Sequence, residues 1–384
     1  MPARAAARLA RMRKRSWLAA AALSAFGVAG MAGTAAAQIL IGQTAGFSGP
    51  VAAGVAETTA GAKLVIDSTN AVGGIDGEKI ELISLDDAFT PKKAAENART
   101  LIVERKVLAM FLTRGTPHTQ AVMPLLTEFG VPLIGPSTGA MVLHEPVNPW
   151  LFNVRATYQR EAERAVAHLN LIGVRRIGVI HVKDSFGADM LAGAQRGFAD
   201  AKLEPSFVAA FDRAKPDFAP VLAMAEKADP QAILFIGSGT AVADGLKGLR
   251  EHGVTAQVVT FSNNASGGFI DGLGKYARGV IVTQVFPFER SIATGFVKDA
   301  IALARAKNVE LTPAMLEGVA AARVLVAGLR RAPKPLTRDG LRRALEGMSK
   351  LDLGGLELGY SPTDHTGLDF VDLSIIGNGG RFVR

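Results

Sequence analysis

The chain has 384 residues, of which 48% are hydrophobic and 20% are charged. This balance excludes an intrinsically disordered protein, and the length is sufficient for two domains. The 42 glycines follow no fixed period, which excludes a collagen-like chain. The chain contains no cysteine, so disulfides and metal–thiolate sites are excluded as well.

The positive charge is concentrated at the N-terminus. The formal net charge is +8, and six basic residues with no acidic one lie before Trp17. An uncharged, alanine-rich stretch then ends at Ala37. A basic segment, an apolar segment and a small-residue cleavage site are the three parts of a secretory signal peptide. Cleavage after Ala37 would leave a net charge of +2 on residues 38–384, so we expect an exported chain with no nucleic-acid partner.

An uncleaved membrane anchor is the alternative interpretation of residues 1–37. The uncharged stretch from Trp17 to Ala37 has 21 residues, which is long enough to span a bilayer. Its many alanines and glycines make it only weakly hydrophobic, which favours cleavage. No cysteine is present to carry a lipid anchor. We therefore expect the mature chain to be a periplasmic protein.

From Gln38 onward, short apolar runs alternate with amphipathic segments, which is typical of βα units around a mostly parallel sheet. The first series predicts strands at Ile39 to Gln43, Ile80 to Leu85, Val107 to Leu112 and Val131 to Ile134. The predicted helices between them are Val51 to Ser68, Pro91 to Arg105 and Pro117 to Phe129. Thr90 and Pro91 suit the N-cap and the first position of the second helix.

A second series of the same kind predicts a second α/β lobe. Its strands are Arg176 to His181, Ala232 to Ile236, Gln257 to Thr260 and Arg278 to Phe288, and its helices are Ala188 to Ala201 and Thr240 to Glu251. Later helices are predicted near Ser291 to Lys307, Pro313 to Arg331 and Arg338 to Met348, with strands near Leu356 and Phe370 to Ile376. The fold class is therefore α/β with two doubly wound lobes, and the late helices must return to one of them.

Polar, mostly uncharged residues follow several of the predicted strands. They are Thr113 to Thr119, Ser137 and Thr138, Ser238 and Thr240, and Ser262 to Asn264. In open α/β sheets ligands bind beyond the carboxyl ends of the strands, so these residues would line a cleft between the lobes. Such a lining binds a small polar molecule and activates no bond, although each serine or threonine could instead cap a helix.

A secreted serine hydrolase is the enzymatic alternative. Gly135 to Gly139 reads G-x-S-x-G, the strand-turn-helix elbow that exposes a nucleophilic serine, here Ser137. Asp364 and His365 lie downstream in the required order, but they are adjacent in sequence, and no HGGG-type oxyanion segment precedes them. We therefore expect no catalytic residue.

Other enzyme and metal signatures are weaker still. Gly237-Ser238-Gly239 lacks the third glycine of a dinucleotide-binding loop, and the six histidines include no H-x-x-x-H pair. His181, in an apolar strand, suits a buried hydrogen-bonded residue. Asp86 and Asp87 suit capping of the following turn better than catalysis. No cofactor and no metal ligand are predicted.

Several segments resemble the leucine/isoleucine/valine-binding protein family. They are Ile39 to Gly42, Gly46 to Pro50, Asn70 to Gly77, Leu85 to Asp87, Ala94 to Leu101, Gly130 to Pro132, Asp184 to Gly187 and Gly377 to Phe382. Members of this family are periplasmic substrate-binding proteins of ATP-binding-cassette importers with the type I fold. The resemblance covers nearly all of residues 38–384.

The resemblance implies two lobes joined by three crossovers. The crossovers are expected near Phe152 to Arg155, Val285 to Phe288 and Leu351 to Leu356. Lobe one would comprise residues 38–152 and 288–352, and lobe two residues 153–287 and 353–384. The residues that match the family's ligand site, together with polar and aromatic neighbours of the cleft, are Phe47, Thr116, Pro117, Ser137, Thr138, Gly139, Phe186, Ser238, Asn263 and Phe288.

Two of these positions depart from what the resemblance implies. In the family, lobe-one turns bind the α-carboxylate of an amino acid and an acidic residue pairs with its ammonium, but Asn263 occupies the acidic position and Pro117 replaces a serine. An ammonium without that partner would lose on the order of 1.5–3 kcal/mol. Unless Asp184 or another acid reaches the cleft, a carboxylate or amide ligand without a free amine fits better than an amino acid.

We therefore expect a periplasmic solute-binding component of an importer, which captures a small carboxylate or amino-acid-like ligand by hinge closure. Its expected partners are that small molecule and an inner-membrane permease, and the chain is expected to be a monomer. A module that passes the same closure to a receptor is a further alternative that sequence does not separate from transport.

Overall fold

The computed structural model of the protein describes residues 38–384. The predicted signal peptide, residues 1–37, lies outside the described residues. Within residues 38–384, none of the helices has both the length and the apolar character that a membrane crossing requires.

The first sheet has five strands in the spatial order β2-β1-β3-β4-β5. They are β1 Gln38–Ala45, β2 Lys79–Asp86, β3 Ala109–Phe111, β4 Leu133–Ile134 and β5 Leu151–Phe152. The early helices are α1 Ala52–Ala71, α2 Pro91–Arg99 and α3 Thr116–Phe129. Strand β3 runs parallel to both of its neighbours, β1 and β4. Its adjacent residues Met110 and Phe111 are both fully buried but belong to different core clusters, because side chains alternate between the two faces of a strand.

The second sheet has seven strands in the order β14-β13-β10-β9-β8-β6-β7. They are β6 Ile177–Val182, β7 Val208–Phe211, β8 Ala232–Ile236, β9 Gln257–Thr260, β10 Ile281–Gln284, β13 Asp372–Ile376 and β14 Phe382–Val383. Its helices are α4 Tyr158–Leu171, α5 Ser185–Ala201, α6 Ala219–Ala228, α7 Thr240–Glu251 and α8 Gly267–Leu273. Strands β6 to β10 pair in parallel, whereas β13 and β14 are antiparallel additions at one edge.

The late helices complete the first lobe. They are α9 Gly295–Ala306, α10 Pro313–Arg331 and α11 Arg338–Glu346. Leu316 of α10 and Leu341 of α11 are buried in the same core as Ile41 and Phe111 of the first sheet. We call the first sheet with α1 to α3 and α9 to α11 lobe one, and the second sheet with α4 to α8 lobe two. The predicted fold class, two doubly wound lobes, is confirmed.

The chain crosses between the lobes after β5, after β10 and before β13. The third crossing lies later than Leu351 to Leu356, where the sequence placed it. A short hairpin, β11 Leu351–Asp352 with β12 Glu357–Leu358, still belongs to lobe one, because Leu356 and Leu358 are buried in its core. Leu368 also packs in that core, so the chain leaves lobe one beyond it.

The sequence-based prediction omitted the helices α4, α6 and α8 and the strand β7, as well as the two-residue strands β5, β11 and β14. In α4, the buried residues Ala162, Ala165, Val166 and Leu169 have helical spacing, but they are mostly small and the helix is rich in charge. Helix α2 is shorter than predicted, since it ends at Arg99 and continues as a π-helical turn over Thr100–Glu104. Thr90 does occupy its N-cap, but the threonine side chain makes no capping hydrogen bond.

Glycines allow α1 and α10 to pack in direct backbone contact. A Cβ added to Gly61 of α1 would lie 2.0 Å from the carbonyl oxygen of Met315, and one added to Gly318 of α10 would lie 1.9 Å from that of Thr58. These separations are impossible for real Cβ atoms, so each substitution must force the two helices apart.

We expect Gly318→Ala to lower the free energy of unfolding by about 1–3 kcal/mol, the usual cost of overpacking a core. Chemical denaturation followed by circular dichroism measures the change. Gly272→Ala in α8 is the matched control, because a Cβ there meets no atom within 4 Å. Equal stability of the two variants would contradict the close packing of α1 on α10.

Candidate functional site

The loops at the carboxyl ends of the strands in the two lobes face one another and touch. The carbonyl oxygen of Pro50, after β1, accepts a hydrogen bond from the backbone N–H of Thr240, after β8, at 3.1 Å. On a second flank, the Ser185 hydroxyl of lobe two donates to Gln120 Oε1 of lobe one at 2.6 Å. The structure therefore shows the lobes closed against each other.

Two cavities remain in this interlobe cleft, and the contact of Pro50 with Thr240 lies between them. The first cavity has a volume of about 380 Å³ and is lined by Gly49 to Gly54, Arg114, Gly239, Thr240, Ala243, Asp244, Lys247, Asn263, Asn264, Ser266, Gly268, Phe269 and Gly272. The second cavity, of about 370 Å³, is lined by Pro50, Phe89, Val182, Phe211, Arg213, Pro216, Phe218, Ser238, Thr240, Ala241 and Asp244. Each volume lies within the range of small-molecule sites.

Arg114 places a buried positive charge in the wall of the first cavity. The residue follows β3 and is 5% exposed. Its Nη1 donates to Ser137 Oγ at 2.8 Å, within lobe one, and its Nη2 donates to the backbone oxygen of Asn263 at 2.5 Å, in lobe two. None of the carboxylates in residues 38–384 forms an ion pair with it. A buried guanidinium with only neutral partners is a binding group for an anion.

The sequence motifs did not single out Arg114. It lies inside the predicted polar lining Thr113 to Thr119, but its role depends on its counter-ions, which come from distant parts of the chain. A basic residue directly after a strand, among uncharged neighbours, was the signal available.

Asn263 lines the first cavity and has a buried amide oxygen without a hydrogen-bond partner in residues 38–384. Its Nδ2 donates to the carbonyl oxygen of Gly237 at 2.9 Å and to Ser238 Oγ at 3.0 Å. Because a carbonyl oxygen only accepts, this contact fixes the orientation of the amide. Asn263 Oδ1 then has no hydrogen-bond partner among the described residues. The neighbouring Asn264, in contrast, has both amide atoms bonded within lobe two.

One acidic residue, Asp244, does reach the cleft and lines both cavities. Its carboxylate is 64% exposed and lies 3.9 Å from Lys247 Nζ. Asp184 is already engaged, because it accepts hydrogen bonds from the first turn of α5 and pairs with Arg213 at 2.5 Å. The acid nearest the ligand space is therefore a solvent-screened carboxylate at the mouth, whose pairing with an exposed cation is worth about 0–1 kcal/mol.

The second cavity has an aromatic wall. Phe89 of lobe one stacks on His118 with 4.2 Å between ring centroids, and the Arg213 guanidinium of lobe two lies 5.0 Å from the Phe89 ring. Phe211 and Phe218 form the opposite side, 5.1 Å apart. This cavity offers flat apolar surface, whereas the first offers a cation and amides.

The predicted lobe-one residues lie behind the cavities and largely bond to one another. The hydroxyls of Thr116 and Thr138 are 2.7 Å apart and buried. The carbonyl oxygen of Gly139 accepts from Tyr158 N at 2.8 Å, and Pro117 is in the first turn of α3. Ser137 reaches the first cavity only through its bond to Arg114.

The predicted aromatic residues are spread more widely. Phe47 is half-buried against the cluster that contains Phe89. Phe186 is 3% exposed and packs edge-on against Tyr158, 4.8 Å between centroids. Phe288 lines neither cavity and has Arg290 over its ring at 5.0 Å. Of the ten predicted residues, only Asn263 and Ser238 line the two cavities.

The surroundings of Ser137 differ from those of a catalytic serine. Its hydroxyl is 2% exposed and accepts from Arg114, which cannot act as a base. His365 Nδ1 bonds to the carbonyl oxygens of Asn148 and Leu151 instead. In the part of the chain that the structure describes, no histidine hydrogen-bonds to Ser137, so the geometry lacks the pairing that activates a nucleophile.

Asp86 and Asp87 cap the turn that follows β2, as the sequence suggested. Asp86 accepts from the backbone N–H groups of Ser48 and Ala88, and Asp87 accepts from Phe89 N. Burial raises the pKa of Asp87 to about 6. His181 is half-buried, and its Nδ1 lies 3.0 Å from the carbonyl oxygen of Val182. Over residues 38–384 no group of three histidine, aspartate or glutamate residues is arranged to hold a metal ion.

A buried ionic network lies at the first crossing, behind the cavities. The Arg155 guanidinium, 1% exposed, bonds to Glu161 of α4 and to Ser262 Oγ of lobe two. Arg155 Nη1 lies 3.8 Å from Glu317 Oε1 of α10 in lobe one. Burial raises the pKa of Glu161, and the charge of Arg155 and the hydrogen bonds from Thr283 Oγ1 and Ser262 N oppose that rise. Arg155 therefore ties both lobes together at the hinge.

The comparison with known proteins matches this architecture. Residues 38–371 match the family model described as periplasmic binding protein. The chain belongs to the periplasmic binding protein family. The curated relatives confirm the predicted resemblance to leucine/isoleucine/valine-binding proteins, and the homologues and the fold are those of substrate-binding proteins. The homologues of this family are periplasmic.

Curated relatives cover most of the chain. The Leu/Ile/Val-binding protein homolog 3 of Brucella melitensis is 26% identical over 344 residues, 87% of this chain and 90% of that protein. The Leu/Ile/Val-binding protein of Escherichia coli K12 is 23% identical over 335 residues, 84% of this chain and 90% of that protein.

Solved structures of similar proteins support the fold. A substrate-binding periplasmic protein from Ralstonia solanacearum superposes with a TM-score of 0.82 at 28% identity, covering 90% of this chain and 99% of that one. A possible leucine/isoleucine/valine-binding protein from Rhodopirellula baltica gives 0.84 at 24% identity, covering 91% and 97%. The chain therefore has the type I periplasmic binding protein fold.

The buried side chain of His118 should make the stability of this protein depend on pH. Burial lowers its pKa to about 4 from 6.5, and the charge of Arg213 acts in the same direction. Between pH 6.5 and pH 4 the histidine is protonated in the unfolded chain but stays neutral in the folded protein. The folded protein therefore keeps its full stability above pH 6.5 and loses stability as the pH falls towards 4. At 1.36 kcal/mol per pKa unit, His118 should lower the free energy of unfolding by about 2 kcal/mol between pH 7 and pH 5.

Urea denaturation of the wild type and of His118→Asn at both pH values measures this contribution. Between pH 7 and pH 5, the free energy of unfolding of the variant should fall by about 2 kcal/mol less than that of the wild type, whatever the stability of the variant at pH 7. Burial also lowers the pKa of His144 to about 4, so part of the wild-type loss should remain. Identical pH dependence in the two proteins would contradict the assignment to His118.

Proposed function

We propose that this protein is the periplasmic solute-binding component of an ATP-binding-cassette importer, and that it captures a small carboxylate between its lobes. The observation that supports this ligand class is the buried guanidinium of Arg114, which lines the first cavity with only neutral partners. The lobes close on the ligand about the hinge, and the closed form then docks on an inner-membrane permease. The protein acts as a monomer after its signal peptide is removed.

A ligand carboxylate would complete the electrostatics of the first cavity. Removing the Arg114 guanidinium from water costs several kcal/mol that its bonds to Ser137 and Asn263 do not fully offset. A ligand anion adds charge-assisted hydrogen bonds, each worth on the order of 1.5–3 kcal/mol. Because Arg114 bonds to both lobes, the anion would also strengthen the closed arrangement.

The remaining polar groups favour a carboxylate that bears a neutral hydrogen-bond donor over an amino acid. Asn263 Oδ1 is buried without a hydrogen-bond partner among the described residues, so a neutral donor of the ligand that reached it, such as a hydroxyl or amide N–H, would satisfy this atom. An ammonium would find there an amide oxygen and, at the mouth, only the exposed Asp244. An amino acid remains the competing ligand class, since the similar protein of Escherichia coli is named a Leu/Ile/Val-binding protein.

The sequence is compatible with two other functions. A hydrolase using Ser137 finds little support, because the hydroxyl is bonded to a guanidinium and is buried. A sensor that passes lobe closure to a receptor would use the same cleft, and it is distinguished from a transporter by deletion of the permease rather than by any residue of this chain.

A thermal-shift screen of residues 38–384 against aliphatic, aromatic and hydroxylated carboxylates, and separately against amino acids, tests the ligand class. A ligand at a hundred times its Kd should stabilise the protein by about 2.7 kcal/mol. We expect carboxylates without a free amine to give the largest shifts. A clear preference for leucine or valine would show that the argument from Asn263 is wrong.

Arg114→Gln should weaken binding of the best carboxylate about ten- to a hundredfold in calorimetric titration, because one charge-assisted interaction is lost. Arg196→Gln is the matched control, since Arg196 is half-exposed and pairs with Glu163 on the outside of lobe two. Unchanged affinity of Arg114→Gln, with the fold intact by circular dichroism, would contradict the proposed role of Arg114.

A further inference from the structure

A carboxylate outside the two cavities joins the lobes. Glu57 lies on α1, one turn beyond the residues of that helix that line the first cavity. Its Oε2 accepts from Gly267 N at 3.1 Å and its Oε1 accepts from Gly268 N at 3.0 Å. These two N–H groups begin helix α8 of lobe two, and unpaired N–H groups at a helix start favour negative charge.

Thr312 fixes the same carboxylate from lobe one. Its hydroxyl donates to Glu57 Oε2 at 2.8 Å, and it accepts from Met315 N as the N-cap of α10. Glu57 therefore does not have to be ordered when the lobes meet, because one oxygen is already held. We call Glu57, Thr312, Gly267 and Gly268 the clasp.

The backbone at Gly268 leaves no room for a side chain. A Cβ added to Gly268 would lie 2.3 Å from Cβ of Ala53 on α1. Ala53 and Glu57 are four residues apart and so lie on one face of the helix. This face of α1 therefore approaches α8 only because residue 268 is glycine.

The clasp is continuous with the wall of the first cavity. Ser266, Gly268 and Phe269, in the first turn of α8, line that cavity, and Ser266 is the N-cap of the helix. From lobe one, Ala53 and Gly54 of α1 line it too. Glu57 itself does not line the cavity. A movement that separates α1 from α8, which both line the cavity on this side, would therefore break the bonds of Glu57 to Gly267 and Gly268.

We infer that Glu57 is a positioning residue for closure: it holds the first turn of α8 against α1 and thereby raises the population of the closed form. This inference deepens the proposed function, because closure is the step by which the solute is trapped. Glu57 contributes without touching the solute, so its effect falls on the closed population rather than on ligand selectivity.

Spin-label distance measurements test this without any ligand. The native chain has no cysteine, so labels attach only at cysteines introduced in place of the exposed Lys63 on α1 and Lys275 beyond α8. We expect a population at the closed distance in the labelled parent protein. In Glu57→Ala that population should fall at least about tenfold, since charge-assisted hydrogen bonds are lost. Glu57→Gln should lie between the two, because an amide offers one acceptor oxygen.

Two further variants make the test decisive. Asp67→Asn is the matched control, since Asp67 lies on the same helix but pairs with Lys307 inside lobe one, and it should keep the closed population. Gly268→Ala leaves Glu57 intact but obstructs the approach of α8, and it should lengthen the distance as Glu57→Ala does. Thermal unfolding of each variant confirms that it is folded.

The inference is overturned if Glu57→Ala and the labelled parent give the same distance distribution, or if Gly268→Ala retains the closed distance. It is also overturned if the parent shows no closed population. These outcomes are independent of the ligand class, because failure of every carboxylate to bind would contradict the proposed function and leave the distances unchanged.

Discussion

The arrangement of this protein depends on a positive charge that is buried where the two lobes meet. Arg114 bonds through one nitrogen to Ser137 of lobe one and through the other to the backbone of Asn263 in lobe two. With neutral partners only, the charge is incompletely compensated, and the cavity beside it is the place where compensation can occur. Ligand recognition and lobe closure are therefore served by one side chain.

A second buried guanidinium, that of Arg155, has the opposite environment. It faces two carboxylates, Glu161 and Glu317, one from each lobe, and Ser262 shares the network. This compensation makes Arg155 a structural element of the hinge rather than a binding group. The contrast between the two arginines shows that the surrounding charges, and not the residue type, decide which one is available to an anion.

Contacts at several separate points around the cleft hold the two lobes together. Pro50 with Thr240 divides the two cavities, Gln120 with Ser185 joins one flank, and Glu57 joins the first turn of α8. Most of these contacts use backbone N–H groups at helix N-termini, which point to the cleft because each helix follows a strand whose carboxyl end lies there. The fold thus supplies hydrogen-bond donors at the interface without charged side chains.

The sequence by itself determined the fold class, because the alternation of apolar runs with amphipathic segments is a local pattern that can be seen in the sequence without knowledge of distant contacts. Strands such as Ala232–Ile236 and helices such as Pro313–Arg331 were predicted to the residue. Helix α4 was missed because its buried face includes the polar residues Gln159 and Glu161 and so lacks a clear apolar period. The third crossing was placed too early because only packing shows that Leu358 and Leu368 belong to the core of lobe one.

The candidate site was predicted as a region, a cleft lined by polar strand ends, and Asn263 and Ser238 do line its cavities. Tertiary structure alone decided which residues matter within it. Three properties of the site depend on groups from distant parts of the chain. They are the lack of a counter-ion at Arg114 within residues 38–384, the pairing of Asp184 and the contact of Glu57 with α8. Hydrophobic periodicity in the sequence predicts the helices and strands. The compensation of a buried charge, in contrast, depends on all the groups that surround it in space, and these come together only when the chain folds.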